Sequence, residues 1–351
     1  MGNVTQKSRR IFVIADFKDE APMSIRIQPR MFVKGLVRLG HDVQHFSYRN
    51  VMAQFNPFSG KHFRRFFPRF ARRTADEILA EQIKAYHPDI VFLLSMKYIT
   101  AETVTIARQV VPGVIFVGRD EDPFPEKNTA RLGTARQTDI VISTGGGRFL
   151  RTYKDAGVSC CAFMPNMCDP DIQYRYNTEE KWHADIIFTG KAEHKRLDRN
   201  NERYHLVQRL CQMPNTKIYG DFGFPRVEGI DYFHAISGAK IALSINIVND
   251  VRLYHSDRLV NCLSCGTFTL AKRVPDTDLL FEDGVHLRYF DTTDEFFELA
   301  DWYLKHEQER EKIAIAGMER AHTEFNCERI AKHTLDLIET GTYDAPWRTI
   351  L

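Results

Sequence analysis

Short apolar runs rich in β-branched and aromatic residues alternate along this chain with longer stretches whose apolar positions recur every three to four residues. The first pattern marks buried strands and the second amphipathic helices. In the first half the runs predict strands at Ile11 to Asp16, Val43 to Tyr48, Asp89 to Ser95, Val114 to Gly118, Asp139 to Thr144 and Cys161 to Pro165. A helix over Arg26 to Leu39 is stopped by Gly40, and another runs from about Pro68 to Tyr86, with Pro68 suited to its first turn. The series restarts after Asp169, with strands at Asp185 to Thr189, Lys217 to Tyr219, Lys240 to Ile245 and Thr267 to Ala271. From Thr293 onward the chain reads as nearly all helix, with Glu307 to Phe325 and Glu328 to Thr340 strongly amphipathic. A β/α series that runs, stops and restarts predicts two doubly wound α/β domains. The boundary is expected near Asn166 to Tyr176, giving domains over 1–168 and 169–325 and a C-terminal helix and tail, 326–351, that packs back toward the first domain.

Length agrees with this division, since 351 residues exceed one ordinary core. The 48 Lys and Arg against 46 Asp and Glu leave a net charge of +2, so no global field draws the molecule onto nucleic acid. Seven cysteines lie scattered in apolar stretches, and Cys262 and Cys265 form a lone C-x-x-C without a second pair at zinc spacing; buried free thiols in a reducing cytoplasm are expected. The N-terminus has no signal-length apolar core and no run approaches the ~20 apolar residues of a membrane span. The densest charge run is KHFRRFFPRFARR, residues 61 to 73, with six Lys or Arg and four Phe. Phe63, Phe66, Phe67 and Phe70 would share one face of a helix, an interfacial pattern suited to an anionic membrane surface and a peripheral location. Pro68 favours the alternative, a loop that folds its Phe residues into the first domain.

The most specific stretch is YHSDRLVNCLSCGTFTLAKRVPDTDLLFEDG, Tyr254 to Gly284. Arg258 opens a helix that ends in the turn Ser264 to Gly266; the strand Thr267 to Ala271 follows, and then the Phe-Glu-x-Gly loop Phe281 to Gly284. This order resembles the donor-binding segment of GT-B glycosyltransferases, particularly the CgeB-like group named for a spore maturation protein, with a donor domain like those of glycosyltransferase families 1 and 4. FMPNMCDP at 163 to 170 is similar to the interdomain linker of that family, and ADIIFTGK at 184 to 191 to its first C-domain strand and turn. KIYG at 217 to 220 and KIALSIN at 240 to 246 continue the series, whereas residues 1 to 110 match only in pattern. The resemblance implies two Rossmann-like domains facing a cleft, with a UDP-, GDP- or dTDP-linked sugar as co-substrate and a hydroxyl acceptor on a glycan, glycolipid or cell-surface polysaccharide precursor. It implies no resident cofactor and no metal ion. Many retaining members carry two Glu residues eight positions apart, where this chain has Leu253 and Asn261. Sugar stereochemistry is therefore not carried over.

Such an enzyme must hold a diphosphate and stabilise it as it leaves, which needs cationic groups and free backbone N–H donors. Ser256 is placed to cap the helix that begins at Asp257, setting the helix N-terminus beside Arg258; by the resemblance this region meets the diphosphate. Lys191 follows a strand at the carboxyl end where open α/β sheets bind ligands, and Arg196 competes with it, as does Arg203 unless it faces solvent. Gly220 begins a loop to Val227 that should approach the base. Asn246 and Asn249 either bind sugar hydroxyls or form a turn. Asn261 lies on the donor helix; Gly266 suits the helix C-terminus, with Thr267 as a phosphate or ribose contact. On the acceptor side a strand ending at Gly118 would release Arg119, Asp120, Glu121 and Asp122 into a loop. Asp122, with Asp120 behind it, is the candidate general base. Asp120-x-Asp122 also matches a metal-binding D-x-D, a spacing repeated at Asp169-x-Asp171 and Asp276-x-Asp278. Gly145, Gly146 and Arg148 on the acceptor side either bring backbone to a phosphate or pack a strand tightly onto a helix. A nucleotide-sugar epimerase and a non-catalytic nucleotide-sugar-binding protein share this architecture and are the alternative functions.

Overall fold

The computed structural model describes residues 8–17, 27–55, 68–94, 96, 99–122, 124–192 and 201–351, with backbone alone for 68–70. Its first sheet is built from β1 (Arg10–Ala15), β2 (Asp42–Ser47), β3 (Ile90–Leu93), β4 (Ile115–Asp120), β5 (Ile140–Ser143) and β6 (Cys160–Phe163). The order is β2-β1-β3-β4-β5-β6 and every pairing is parallel. Parallel neighbours need crossover helices, which cover both faces, and so the central strands are apolar throughout rather than alternating. Ile11 to Ile14 and Ile90 to Leu93 are all buried.

The second sheet contains β7 (Ala184–Thr189), β8 (Thr216–Tyr219), β9 (Ala239–Ser244), β10 (Phe268–Lys272) and β11 (Arg288–Phe290) in the order β11-β10-β9-β7-β8, again all parallel. Two parallel sheets with flanking helices make a two-domain α/β arrangement, as the hydrophobic pattern predicts. In the second sheet the chain leaves β7 toward β8 on one side and β9 toward β10 on the other. The order reverses between β7 and β9, which opens a crevice beyond their carboxyl ends.

Two elements differ from the sequence reading. β4 runs through Arg119 and Asp120 instead of ending at Gly118, because both side chains find buried partners. β11, three residues long, lies in a stretch the pattern left without a strand. The basic-aromatic segment at 61–73 lies outside the described residues as far as 67; from Pro68 it joins the helix Pro68–Tyr86, where Arg73 pairs with Glu77 at 2.9 Å.

The chain crosses between the domains twice, and the two crossings touch: Cys168 bridges Asn326, and its N–H donates to Phe325 O at 2.8 Å. The helix Cys327–Thr340 then lies on the helix Ile27–Arg38 so closely that a Cβ on Gly35 would sit 2.2 Å from Cys327 O. Beyond it the tail covers the open edge of β6, with Cys161 and Leu351 exchanging backbone hydrogen bonds at 3.0 and 2.8 Å. Trp347 is fully buried and stacks on Phe325.

Candidate functional site

The crevice beyond β7 and β9 holds a cavity of about 340 Å³. Its walls are Thr189, Gly190 and Lys191 after β7, Tyr219 and Gly220 at the end of β8, Arg226, Val227 and Glu228 in the next loop, and Tyr232. Asp257, Arg258 and Asn261, on the helix Asp257–Ser264, complete it. Four of the sequence-derived donor residues, Lys191, Gly220, Arg258 and Asn261, thus meet in one cavity.

Arg258 is 7% exposed and is locked at the reversal of the strand order. Its Nε donates to Thr189 O at 2.6 Å, where β7 ends, and its Nη1 to Ile245 O at 3.0 Å, just past β9. A Cβ on Gly190, whose φ is +121°, would lie 2.5 Å from Arg258 Nη2, so only glycine lets the guanidinium approach.

Arg203, read from the sequence as a possible solvent-facing residue, is instead 3% exposed and lies against the same wall. Its guanidinium donates to Lys191 O, its Nε has no partner, and it covers the Phe188 ring at 5.4 Å with Arg258 over the same ring at 4.9 Å. Burial, and then the charge of Arg258, push the Arg203 guanidinium down to about 9. Neither arginine forms an ion pair with a described residue. Two like charges buried beside each other, with Arg258 at the cavity wall, are costly until an anion arrives.

The helix N-terminus adds to this field. Ser256 stands at the N-cap position but its side chain caps nothing, and its buried hydroxyl has no partner. Asn246 is spent on the loop itself: its Oδ1 accepts from Ser256 N at 2.9 Å and its Nδ2 donates to Tyr254 O at 3.2 Å. Asn246 and Asn249 also exchange hydrogen bonds at 3.0 and 3.1 Å, which makes them a turn and not a pair of open sugar contacts. Asn261 accepts from Gln173 of the linker at 2.6 Å and donates to Tyr232 Oη at 3.3 Å.

Gly266 and Thr267 do not join the cavity. They precede β10 and so lie at the amino end of the sheet, where the Thr267 hydroxyl is taken by Ile236 O at 2.8 Å and Gly266 O by Arg175. Arg196 lies outside the described residues.

Across the cleft, Asp120 ends β4 fully enclosed. Its Oδ1 accepts from Arg131 at 2.9 Å and its Oδ2 from the Tyr153 hydroxyl, while burial raises its carboxyl to about 6. Both of its oxygens are thus engaged within the protein. Asp122, the other acidic candidate, has about half its side chain exposed, with Arg131 Nη1 at 3.6 Å. The glycine turn is used for docking between domains. Gly146 N donates to Arg252 O at 2.8 Å, and Arg148 forms a two-pronged ion pair with Asp250 at 2.7 and 2.9 Å, whereas Gly145 N donates within its own domain to Ser143 Oγ at 3.2 Å.

Sequence reasoning missed a further residue, Asp16, at the carboxyl end of β1, where the first sheet reverses its own strand order; it is buried and pairs with Arg49 at 2.9 Å.

Comparison with known proteins agrees with this layout. Residues 199–336 match the family model described as glycosyl transferase-like. No curated protein sequence matches the chain. Among solved structures, Anabaena HepE in complex with UDP and glucose superposes with a TM-score of 0.62 at 10% identity, covering 95% of this chain and 100% of HepE. Sucrose-phosphate synthase from Thermosynechococcus elongatus gives 0.59 at 13%, covering 94% and 98%. An α-glucosyltransferase in complex with UDP-glucose and DNA containing an abasic site gives 0.60 at 10%, covering 95% and 100%. The chain therefore has the two-domain α/β fold of GT-B glycosyltransferases and carries, over residues 199–336, a glycosyl transferase-like domain.

Proposed function

We propose that this protein transfers a sugar from a nucleoside-diphosphate-sugar to a hydroxyl acceptor. The observation that carries the reading is the pair Arg203 and Arg258: two buried guanidiniums without an acidic partner among the described residues, at the strand-order reversal, beside an uncapped helix N-terminus. That set matches a diphosphate in charge and geometry, and Lys191 at the rim adds a third cation. The UDP and UDP-glucose held by the similar structures support the same ligand class. Tyr219, Gly220 and the Arg226 to Glu228 loop then face the nucleoside. The CgeB-like grouping belongs to this proposal and rests on the order of Arg258, the Ser264 to Gly266 turn and the Phe281 to Gly284 loop.

In the reaction the bond between the anomeric carbon and the phosphate oxygen breaks, its electron pair stays on the diphosphate, and the acceptor oxygen bonds to the anomeric carbon. The acceptor proton goes to Asp122. The arginines and the helix terminus stabilise the departing charge, so the chemistry needs no metal, and activity should persist in EDTA. A glycan or lipid-linked acceptor, in a polysaccharide pathway at the inner face of a membrane, fits the basic-aromatic segment at 61–73, which lies mostly outside the described residues. No described helix is long and apolar enough to cross a membrane. The test is Arg258→Lys, which keeps the charge but gives up the fork that holds Thr189 O and Ile245 O. Donor affinity should fall about tenfold or more in a folded variant, as for a lost charge-assisted hydrogen bond. Unchanged donor affinity removes Arg258 from the site, and isomerised donor in the wild type would assign an epimerase.

A further inference from the structure

The strand order gives the donor cavity two distinct ends. Arg258 ties the end of β7 to the residue just past β9, which fixes the cationic end at the strand-order reversal. β8 lies on the other side of β7, at the edge of the sheet, so the loop that follows it stands two strand spacings, about 10 Å, from β9. That loop is pinned in place. Gly220 N donates to Pro225 O at 3.0 Å, and Arg226 Cγ lies 3.5 Å from where a Cβ on Gly220 would sit. Val227 packs against the apolar core, and its neighbours Arg226 and Glu228 line the cavity with it.

Among the described residues the side chains of Arg226 and Glu228 have no hydrogen-bond or ion-pair partner, not even each other. Glu228 is partly buried. A carboxylate in the wall of a cavity that collects phosphate charge repels its ligand, unless the ligand presents N–H or O–H donors at that place. Asp257, the other acidic residue of the lining, is exposed on the helix beside Arg258 and can turn to water.

Guanine presents the matching donors. Its N1–H and its exocyclic N2 amino group lie side by side, so the two oxygens of one carboxylate accept from both, while O6 and N7 on the adjoining edge accept from an arginine. Uracil and thymine set a single N–H between two carbonyl oxygens, which would face the carboxylate with like charge. Adenine and cytosine each set one amino donor beside an acceptor nitrogen. The two hydroxyls of a ribose could also serve Glu228, but they leave Arg226 without the pair of acceptors that guanine supplies.

We infer that the donor is a guanosine-diphosphate sugar, with Glu228 accepting from guanine N1–H and N2–H and Arg226 donating to its O6 and N7. This rests on the nucleoside-diphosphate reading of the cavity and selects one base within it. The similar structures that hold UDP are 10% identical to this chain, a likeness that shows the fold and leaves the base to this loop.

The experiment is isothermal titration of the whole chain and of Glu228→Gln with GDP, UDP, dTDP and inosine diphosphate, which is GDP without the N2 amino group. Thermal melting of both proteins accompanies it. The wild type should bind GDP about tenfold or more tighter than the other three, because a site built for a donor is left with an unpaired acceptor by the analogue that lacks it. In Glu228→Gln the preference for GDP over inosine diphosphate should vanish, with UDP affinity equal or higher and the melting temperature unchanged. A wild type that binds UDP, dTDP or inosine diphosphate as tightly as GDP overturns the inference and leaves the cavity reading intact. Equal losses for all four ligands in Glu228→Gln also overturn it, because they assign the carboxylate to the ribose or to packing. Failure of the wild type to bind any of the four overturns both.

Discussion

Replacing Arg203 with methionine should leave the ligand-free protein at least as stable while crippling nucleotide binding. At about 1.4 kcal/mol per pH unit, the fall of this guanidinium from 12.5 to about 9 corresponds to roughly 5 kcal/mol of charge held against its preference. Methionine fills similar volume without that charge. The losses are the hydrogen bond to Lys191 O and the contact over Phe188, together about 3 kcal/mol. The balance lies on the side of the methionine protein, which should melt at or above wild type. Diphosphate affinity should fall about a hundredfold, since the ligand loses one of two buried cations. Melting scans and titration calorimetry on the same preparations read both numbers. An Arg203→Met protein that melts well below wild type and binds UDP, GDP and dTDP as wild type does would refute the reasoning, since Arg203 would then be a structural residue.

Asp122→Asn should lower turnover by about 10²- to 10⁴-fold with donor affinity little changed, as for loss of a general base; near-wild-type turnover in steady-state kinetics would move that role elsewhere. Two buried groups shape the acid side of the stability profile with opposite signs. Asp120 has a folded value of about 6, above the ordinary 3.8, so its contribution is full below about 4 and lost as pH rises to 6. Buried His255 is held down to about 4, below 6.5, so its contribution is lost as pH falls through that window. Asp120→Asn removes the first and should steepen the rise of stability between pH 4 and 6.5; urea midpoints with the same pH slope in both proteins would contradict this. Gly190→Ala forces a Cβ against Arg258 at a φ of +121° and should cost about 1 to 3 kcal/mol, with weakened donor binding that calorimetry would detect.

Much of the architecture is legible because parallel strands buried on two faces must be apolar throughout, and Ile11 to Ala15 or Ile186 to Phe188 satisfy that without reference to any partner. What escapes is what depends on distant residues. β4 continues through Asp120 because Arg131 and Tyr153 receive its carboxylate, 11 and 33 positions away. Arg203 was within reach of periodicity: with Leu206, Val207 and Leu210 it falls at i, i+3, i+4 and i+7 on the buried face of the helix Glu202–Leu210, and its charge concealed the pattern. The placement of Thr267 was legible from strand direction alone. A residue that enters a parallel strand stands at the amino end, away from the ligand-binding edge. Asn246 is different, since nothing in its own neighbourhood announces that both side-chain atoms are spent on Tyr254 and Ser256.

The central claim is that a nucleoside-diphosphate-sugar sits on Arg203 and Arg258 and gives up its sugar. Mass spectrometry of wild type and Arg203→Met incubated with UDP-, GDP- and dTDP-linked sugars, with water and with simple glycan acceptors, tests it most directly. The account predicts release of one nucleoside diphosphate by the wild type, with the sugar freed or transferred, and little or none by the variant. Release at equal rates from both proteins, or no binding and no release of any donor, would contradict it.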